Sequence, residues 1–271
     1  MKGVWSLALI TFKEGIRNRA LFGIALLALF LFGLNITVAG FFMRDIGKVT
    51  VDMNLTALTV AGLLLVFFVG VNLMAKDIDR KTIHLVLSKP ISRSQYIWGK
   101  YLGILFFVTV SLLLLLLCST LTVVLLKSLY ANYFGGFSWS VFFIAGFFVL
   151  LKFWVLTAVV VFFSSITSSS LITLIFSLAS YVAGVTIEEV VFYIQSEFAA
   201  QERMISDALK NFIEVISYIL PNFAIFDFTV EAAHGLAISS SRLLLSGGYG
   251  VLYSVILLLL ASFIFQRREF N

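Results

Sequence analysis

Residues 101–126 read YLGILFFVTVSLLLLLLCSTLTVVLL, without one charged side chain. A helix rises about 1.5 Å per residue, so about 20 such residues cover the roughly 30 Å of a bilayer's hydrocarbon. A barrel strand needs only about 9–11 residues and alternates its faces, and nothing here alternates. Lipid offers no partner for a main-chain N–H, so a run of this length is a crossing α-helix. Working outward, residues 21–42, 57–75, 139–163, a stretch beginning near Leu171, and 249–265 qualify on the same grounds. The composition agrees: 61% of the residues are hydrophobic, 12% are charged, and the mean hydropathy is +1.07. Ordinary soluble chains are about half apolar and a quarter charged. The expected fold is all-α, a polytopic membrane protein with six transmembrane helices in one domain spanning 1–271.

The basic residues set the expected orientation, because Lys and Arg in short loops stay on the cytoplasmic side. With the N-terminus inside, twelve fall inside (Lys2, Lys13, Arg17, Arg19, Lys76, Arg80, Lys81, Lys89, Arg93, Lys100, Arg267, Arg268). Six fall outside (Arg44, Lys48, Lys127, Arg203, Lys210, Arg242). Both termini are expected in the cytoplasm, and the net charge of +5 needs no nucleic acid to explain it. Residues 1–20 place Trp5, Leu9, Phe12 and Ile16 along one side, with Lys13, Glu14, Arg17 and Arg19 elsewhere. That is the pattern of an amphipathic interfacial helix, and it is too long and mixed for a secretory n-region.

Residues 76–100, KDIDRKTIHLVLSKPISRSQYIWGK, form the largest loop on the inner side. Ile78, Ile83, Val86 and Leu87 make an apolar stripe for a short helix, and Pro90 stops it. Ser92 and Gln95 stand in capping-box spacing, which starts the third crossing at that point. Gly99 and Gly103 then offer a small-residue face for close helix contact. Spacing and composition leave two readings open for the loop, a docking helix for a soluble partner and an ordinary solvated connection.

At these residues the chain resembles the permease subunits of type-2 ABC exporters, including the accessory permeases of nitrous oxide reductase maturation. In that family an acidic residue, Gly-Thr, a leucine-rich turn, Pro, Ser-Arg and Gly-Lys follow the second crossing. Here Asp79, Thr82, Ile83, Leu87, Pro90, Ser92, Arg93, Gly99 and Lys100 fill those places, Lys81 stands where Gly is common, and Arg80 lies beside them in the implied ATPase-coupling segment. The resemblance extends over nearly the whole chain. It implies a cytoplasmic coupling helix near 79–88 that docks on a separate ABC ATPase. It also implies two ATPase copies, a second permease that is identical or related, and a prokaryotic inner membrane.

The chain carries no G-x-x-x-x-G-K-[ST] loop, so no cofactor is expected on it and ATP belongs to the partner. No enzymatic constellation is evident: HExxH is absent, and His84 and His234 fall on opposite sides of the membrane. Lys152 is the one charge near the middle of a crossing, where it costs about 2.5–3.5 kcal/mol on the insertion scale. It reads either as a point on a substrate path or as a lysine packed inside the bundle. Residues 188–248 read as an outer segment with an amphipathic helix through Phe198, Ile205, Leu209, Phe212 and Ile216, broken by Pro221. A passive channel or carrier, or a membrane scaffold without an ATPase, is the alternative function.

The topology is checked with single cysteines in a Cys118→Ser background. An impermeant maleimide is expected to reach Ala200→Cys in intact cells, and Ser88→Cys only after permeabilisation. Labelling of both from one side overturns the orientation.

Overall fold

The computed structural model describes residues 2–39, 41, 45–74, 91–195 and 207–268. Among them every regular element is helical. Helix α1 (Lys2–Ile16) leads into α2 (Arg19–Ala39). Helix α3 (Ile46–Leu64) continues through a π-helical turn (Leu65–Gly70) as one apolar rod to Met74. Next come α4 (Arg93–Leu129), α5 (Trp139–Ile166) and α6 (Ser170–Gln195). The remainder is α7 (Asp207–Ile219), a 3-10 turn (Ala224–Phe226), the short α8 (Thr229–His234) and α9 (Ser240–Arg267). Six of these helices, α2 to α6 and α9, are long and apolar enough to span a membrane. The chain is an all-α, multi-pass membrane protein.

Several crossings begin before the apolar runs do. Helix α3 starts at Ile46 rather than near 57: of the polar residues in its first turns, Thr50 and Asn54 are buried against the bundle while Lys48 and Asp52 stay exposed. The side-chain amides of Asn35 on α2 and Asn54 on α3 both donate to the main-chain oxygen of Thr50, at 3.0 and 2.8 Å. The Asn35 bond joins α2 to α3 in a low-dielectric interior, where apolar surface alone does not hold a helix pair; the Asn54 bond lies within α3. Helix α9 starts at Ser240, where the Ser239 hydroxyl accepts from Arg242 N, nine residues before the uncharged run. Helix α4 starts at Arg93 through a complete capping box: Ser92 Oγ accepts from Gln95 N, and Gln95 Oε1 accepts from Ser92 N.

The start of α4 also seats α1. A Cβ added at Gly103 would lie 2.6 Å from Thr11 Cβ and 2.7 Å from Ala8 O, and one at Gly99 would lie 2.9 Å from Leu7. The two glycines therefore form the groove in which α1 rests. Trp5, on the outer side of α1, meets Phe106 edge-on at 5.6 Å. Helix α1 is thus a packed part of the bundle whose apolar side is continuous with that of α4.

Beyond α7 the chain turns inward. Pro221, Phe223, Phe226 and Phe228 are buried, and the pair Lys210–Ile219 and Ala224–His234 bends by 52°. The sequence suggested an amphipathic helix through Phe198, Ile205, Leu209, Phe212 and Ile216; α7 over Asp207–Ile219 is amphipathic, and Phe198 and Ile205 lie outside the described residues. The three phenylalanines after it carry the connection into the helix bundle. Gly184 on α6 makes room: Phe223 N donates to Gly184 O at 2.8 Å, and a side chain at Gly184 would strike Pro221 O.

Gly103→Leu is expected to drive α1 off α4 and cost about 1–3 kcal/mol as an overpacking change. A lowered midpoint of thermal unfolding in detergent checks it. An unchanged midpoint shows that α1 is not seated there.

Candidate functional site

Two features stand out, one at the end of the bundle that carries α1 and the end of α9, the other in the bundle's interior. At the first, cationic side chains reach the carbonyl ends of neighbouring helices. Helix C-termini leave four main-chain oxygens unpaired and carry partial negative charge, so a cation placed there satisfies both. The Arg93 guanidinium donates to the oxygens of Phe265, Gln266 and Arg268 at 3.4, 2.9 and 2.6 Å, closing the end of α9. Arg268 in turn donates to the oxygens of Ser164 and Ser165 at 3.3 and 3.0 Å and to Ser168 Oγ at 2.7 Å, closing the end of α5. Lys100, buried on α4, donates to Leu73 O at 2.9 Å near the end of α3. Tyr96 stacks on Phe265 at 5.4 Å and Gln266 Nε2 donates to Ser94 Oγ at 2.6 Å, so α4 and α9 are joined by three kinds of contact. The ends of α3, α5 and α9 are thereby all bolted to α4, directly or through Arg268. Beside them lies a cavity of about 730 Å³ lined by Lys13, Glu14, Arg17, Arg19 and Asn72.

Of the residues singled out in the 76–100 loop, Asp79, Arg80, Lys81, Thr82, Ile83, Leu87 and Pro90 lie outside the described residues. Ser92 is the cap of α4 and Arg93 is the clamp on α9, so both hold the base of the loop. Capping-box spacing made Ser92 legible. Lys100 was read as a topology marker and as part of the family's Gly-Lys, and Arg268 as a topology marker, so neither was expected to close a helix end.

The second feature surrounds Lys152. Its side chain is buried at 4% exposure on α5, and its ammonium makes no hydrogen bond with any described residue. The Tyr181 ring of α6 lies with its centroid 6.0 Å from Lys152 Nζ. Phe67 meets Tyr181 edge-on at 6.3 Å, and Phe223 lies against it at 5.3 Å. Phe67 belongs to the π-helical turn of α3; such turns occur frequently at functional sites. Asp227, just beyond the 3-10 turn, is the acidic group whose field acts on Lys152. It is exposed, and its Oδ1 accepts from Thr229 N at 3.0 Å.

Helix α6 explains how a charge is tolerated here. Its buried residues are Thr173, Ser177, Ser180, Gly184 and Ile187, while Leu171, Ile172, Ile175, Phe176, Leu178 and Val182 are exposed. The usual amphipathic pattern is inverted, with the polar face toward the protein. Thr173, Ser177 and Tyr181 recur one turn apart and lead along α6 to Lys152. That spacing was readable in the sequence; Asp227 was not, because only the inward turn after α7 brings it near α5.

The segment carrying Asp227 is held at several points. Asn222 N donates to the Tyr249 hydroxyl at 2.8 Å, Tyr253 donates to Ile219 O at 2.9 Å, and Asn222 Nδ2 donates to Glu188 at 3.2 Å. Arg242 pairs with Glu231 and lies over the Phe228 ring at 4.6 Å.

Lys100→Met is expected to leave the carbonyl end of α3 without its donor and destabilise the protein by about 1–3 kcal/mol. Thermal unfolding against the wild type measures it. An unchanged midpoint removes Lys100 from the clamp.

Comparison with known families gives one match: the profile described as "ABC-2 family transporter protein" covers residues 5–270. No curated protein matches the chain. With six apolar crossings and a family match over almost its full length, the chain belongs to the ABC-2 family of transporter proteins, as a membrane permease.

Proposed function

We propose that this permease is the membrane half of an ATP-driven exporter, coupled through residues 76–100 to a separate ABC ATPase. Two ATPase copies and a second permease, identical or related, complete the assembly. Both termini face the cytoplasm of a prokaryotic cell, and cargo leaves it. The likeness to the nitrous oxide reductase maturation permeases belongs to the same proposal.

The observation that carries the coupling is the clamp at the base of the loop. Segment 75–90 lies between the end of α3 and the start of α4, and Lys100 ties those two helices together. Arg93 and Arg268 extend the tie to α9 and α5. A push on the loop is therefore delivered to four crossings at once. ATP binding in the partner draws its two copies together and moves the loop, with Ile83 and Leu87 as the apolar contacts. The chain's own sequence has no phosphate-binding loop to do this work. In the interior, Lys152 and the polar face of α6 mark the path of the cargo.

Ile83→Asp combined with Leu87→Asp is expected to abolish retention of the ATPase on an affinity-tagged permease. Folding is followed by the thermal midpoint, which is expected to stay put. Full retention of the ATPase by the double variant removes the coupling assignment. ATP-dependent cargo movement by the reconstituted wild-type complex, absent without the ATPase, distinguishes an exporter from a channel or a scaffold.

A further inference from the structure

We infer that the cargo is an anionic amphiphile, with its acidic head at Lys152 and its apolar chain in the groove between α5, α6, α7 and α9. This rests on the permease reading, and it names the class of molecule that reading left open.

The head site follows from what Lys152 lacks. An ammonium has three N–H donors. Here the side chain is 4% exposed and its ammonium donates to no described residue. The Tyr181 ring supplies attraction through its π face but accepts no conventional hydrogen bond. Asp227 acts on Lys152 without forming an ion pair within 4.0 Å, and its own Oδ1 is already engaged with Thr229 N. A buried charge with its donors open is costly, and a carboxylate or phosphate brought to Nζ supplies both charge and acceptors. A cationic cargo meets repulsion at the same point.

The chain site follows from the groove. Its volume is about 380 Å³, and its walls include Val159, Phe163, Ser180, Tyr218, Pro221 and Leu257. That volume falls within the range of small-molecule pockets, roughly 300–1,000 Å³. Of its wall side chains only Ser180, Tyr218 and Tyr253 carry hydroxyls, and Tyr253 donates its own to Ile219 O, so little remains to recognise a sugar or a peptide backbone. Val159 lies seven residues beyond Lys152, on the same face of α5 and about 10 Å along it. Ser180 of the groove adjoins Tyr181, and Pro221 of the groove is two residues from Phe223, which packs on Tyr181. Head site and groove are thus built from the same three stretches of chain.

The test uses the full chain in nanodiscs of zwitterionic lipid, with dansyl-undecanoic acid and its neutral carboxamide as probes. Binding is read by energy transfer from the protein's tryptophans, with empty nanodiscs subtracted. The acid is expected to bind at least about ten-fold more tightly than the amide. Lys152→Gln is expected to bring that ratio to about one, Lys152→Arg to keep most of it, and Val159→Phe to weaken both probes. Equal binding of acid and amide to the wild type overturns the inference, as does a ratio that survives Lys152→Gln. If Lys152→Gln does not give monodisperse protein, the wild-type ratio and the Val159→Phe response decide it. No ATPase or nucleotide is present, so loss of ATPase coupling in the preceding experiment leaves this result standing, and the two failures are distinguishable.

Discussion

The unsatisfied carbonyls at helix ends are the constraint on which this structure depends. Inside lipid a crossing helix pairs its own main chain, but its last turn cannot. Here that need is met by side chains from other helices. Arg93 on α4 serves α9, Arg268 at the end of α9 serves α5, and Lys100 on α4 serves α3. Each cation also opposes the negative end of a helix dipole, so the geometry is favoured twice over. Interactions that complete the helices are therefore the same ones that join them. A bundle held mainly by apolar contact with lipid-like surroundings gains in this way a stiff end that packing alone does not supply.

A second constraint acts in the interior. Placing Lys152 within a crossing requires a polar wall, and α6 provides one by turning its serines and threonines inward and its leucines and phenylalanines outward. The π-helical turn of α3 brings Phe67 against Tyr181, and the inward turn after α7 brings Phe223 to the same ring. Three elements far apart in sequence thus meet at one aromatic side chain under one ammonium. Gly184 is what lets the last of them approach, since any side chain there occupies the space of Pro221.

Much of the fold could be read from residues alone, and the reasons differ between elements. Crossings are legible because lipid demands long uncharged runs, and the start of α4 was legible because Ser92 and Gln95 have one obvious use. The start of α3 was placed too late: Lys48, Asp52 and Asn54 weigh against lipid in any hydropathy argument, although Asn54 spends its polarity on Thr50. Arg93 stood out in the loop, but its actual partners, three carbonyls of α9, lie over 170 residues away in sequence. No local pattern encodes that pairing. The inward course of residues 221–228 was hidden for a similar reason, because a short run of phenylalanines after a proline looks the same whether it lies on a surface or enters a bundle.

The two features are linked through α5. Its far end is held by Arg268, the residue that caps α9, and the helix runs unbroken from Trp139 through Lys152 to Ile166. A displacement imposed at Ser164 and Ser165 is therefore carried rigidly to the ammonium. Asp227 belongs to the segment fastened to α6 through Glu188 and to α9 through Tyr249 and Tyr253. Helix α9 therefore takes part in both features, since its end is closed by Arg93 and its middle holds the segment that carries Asp227.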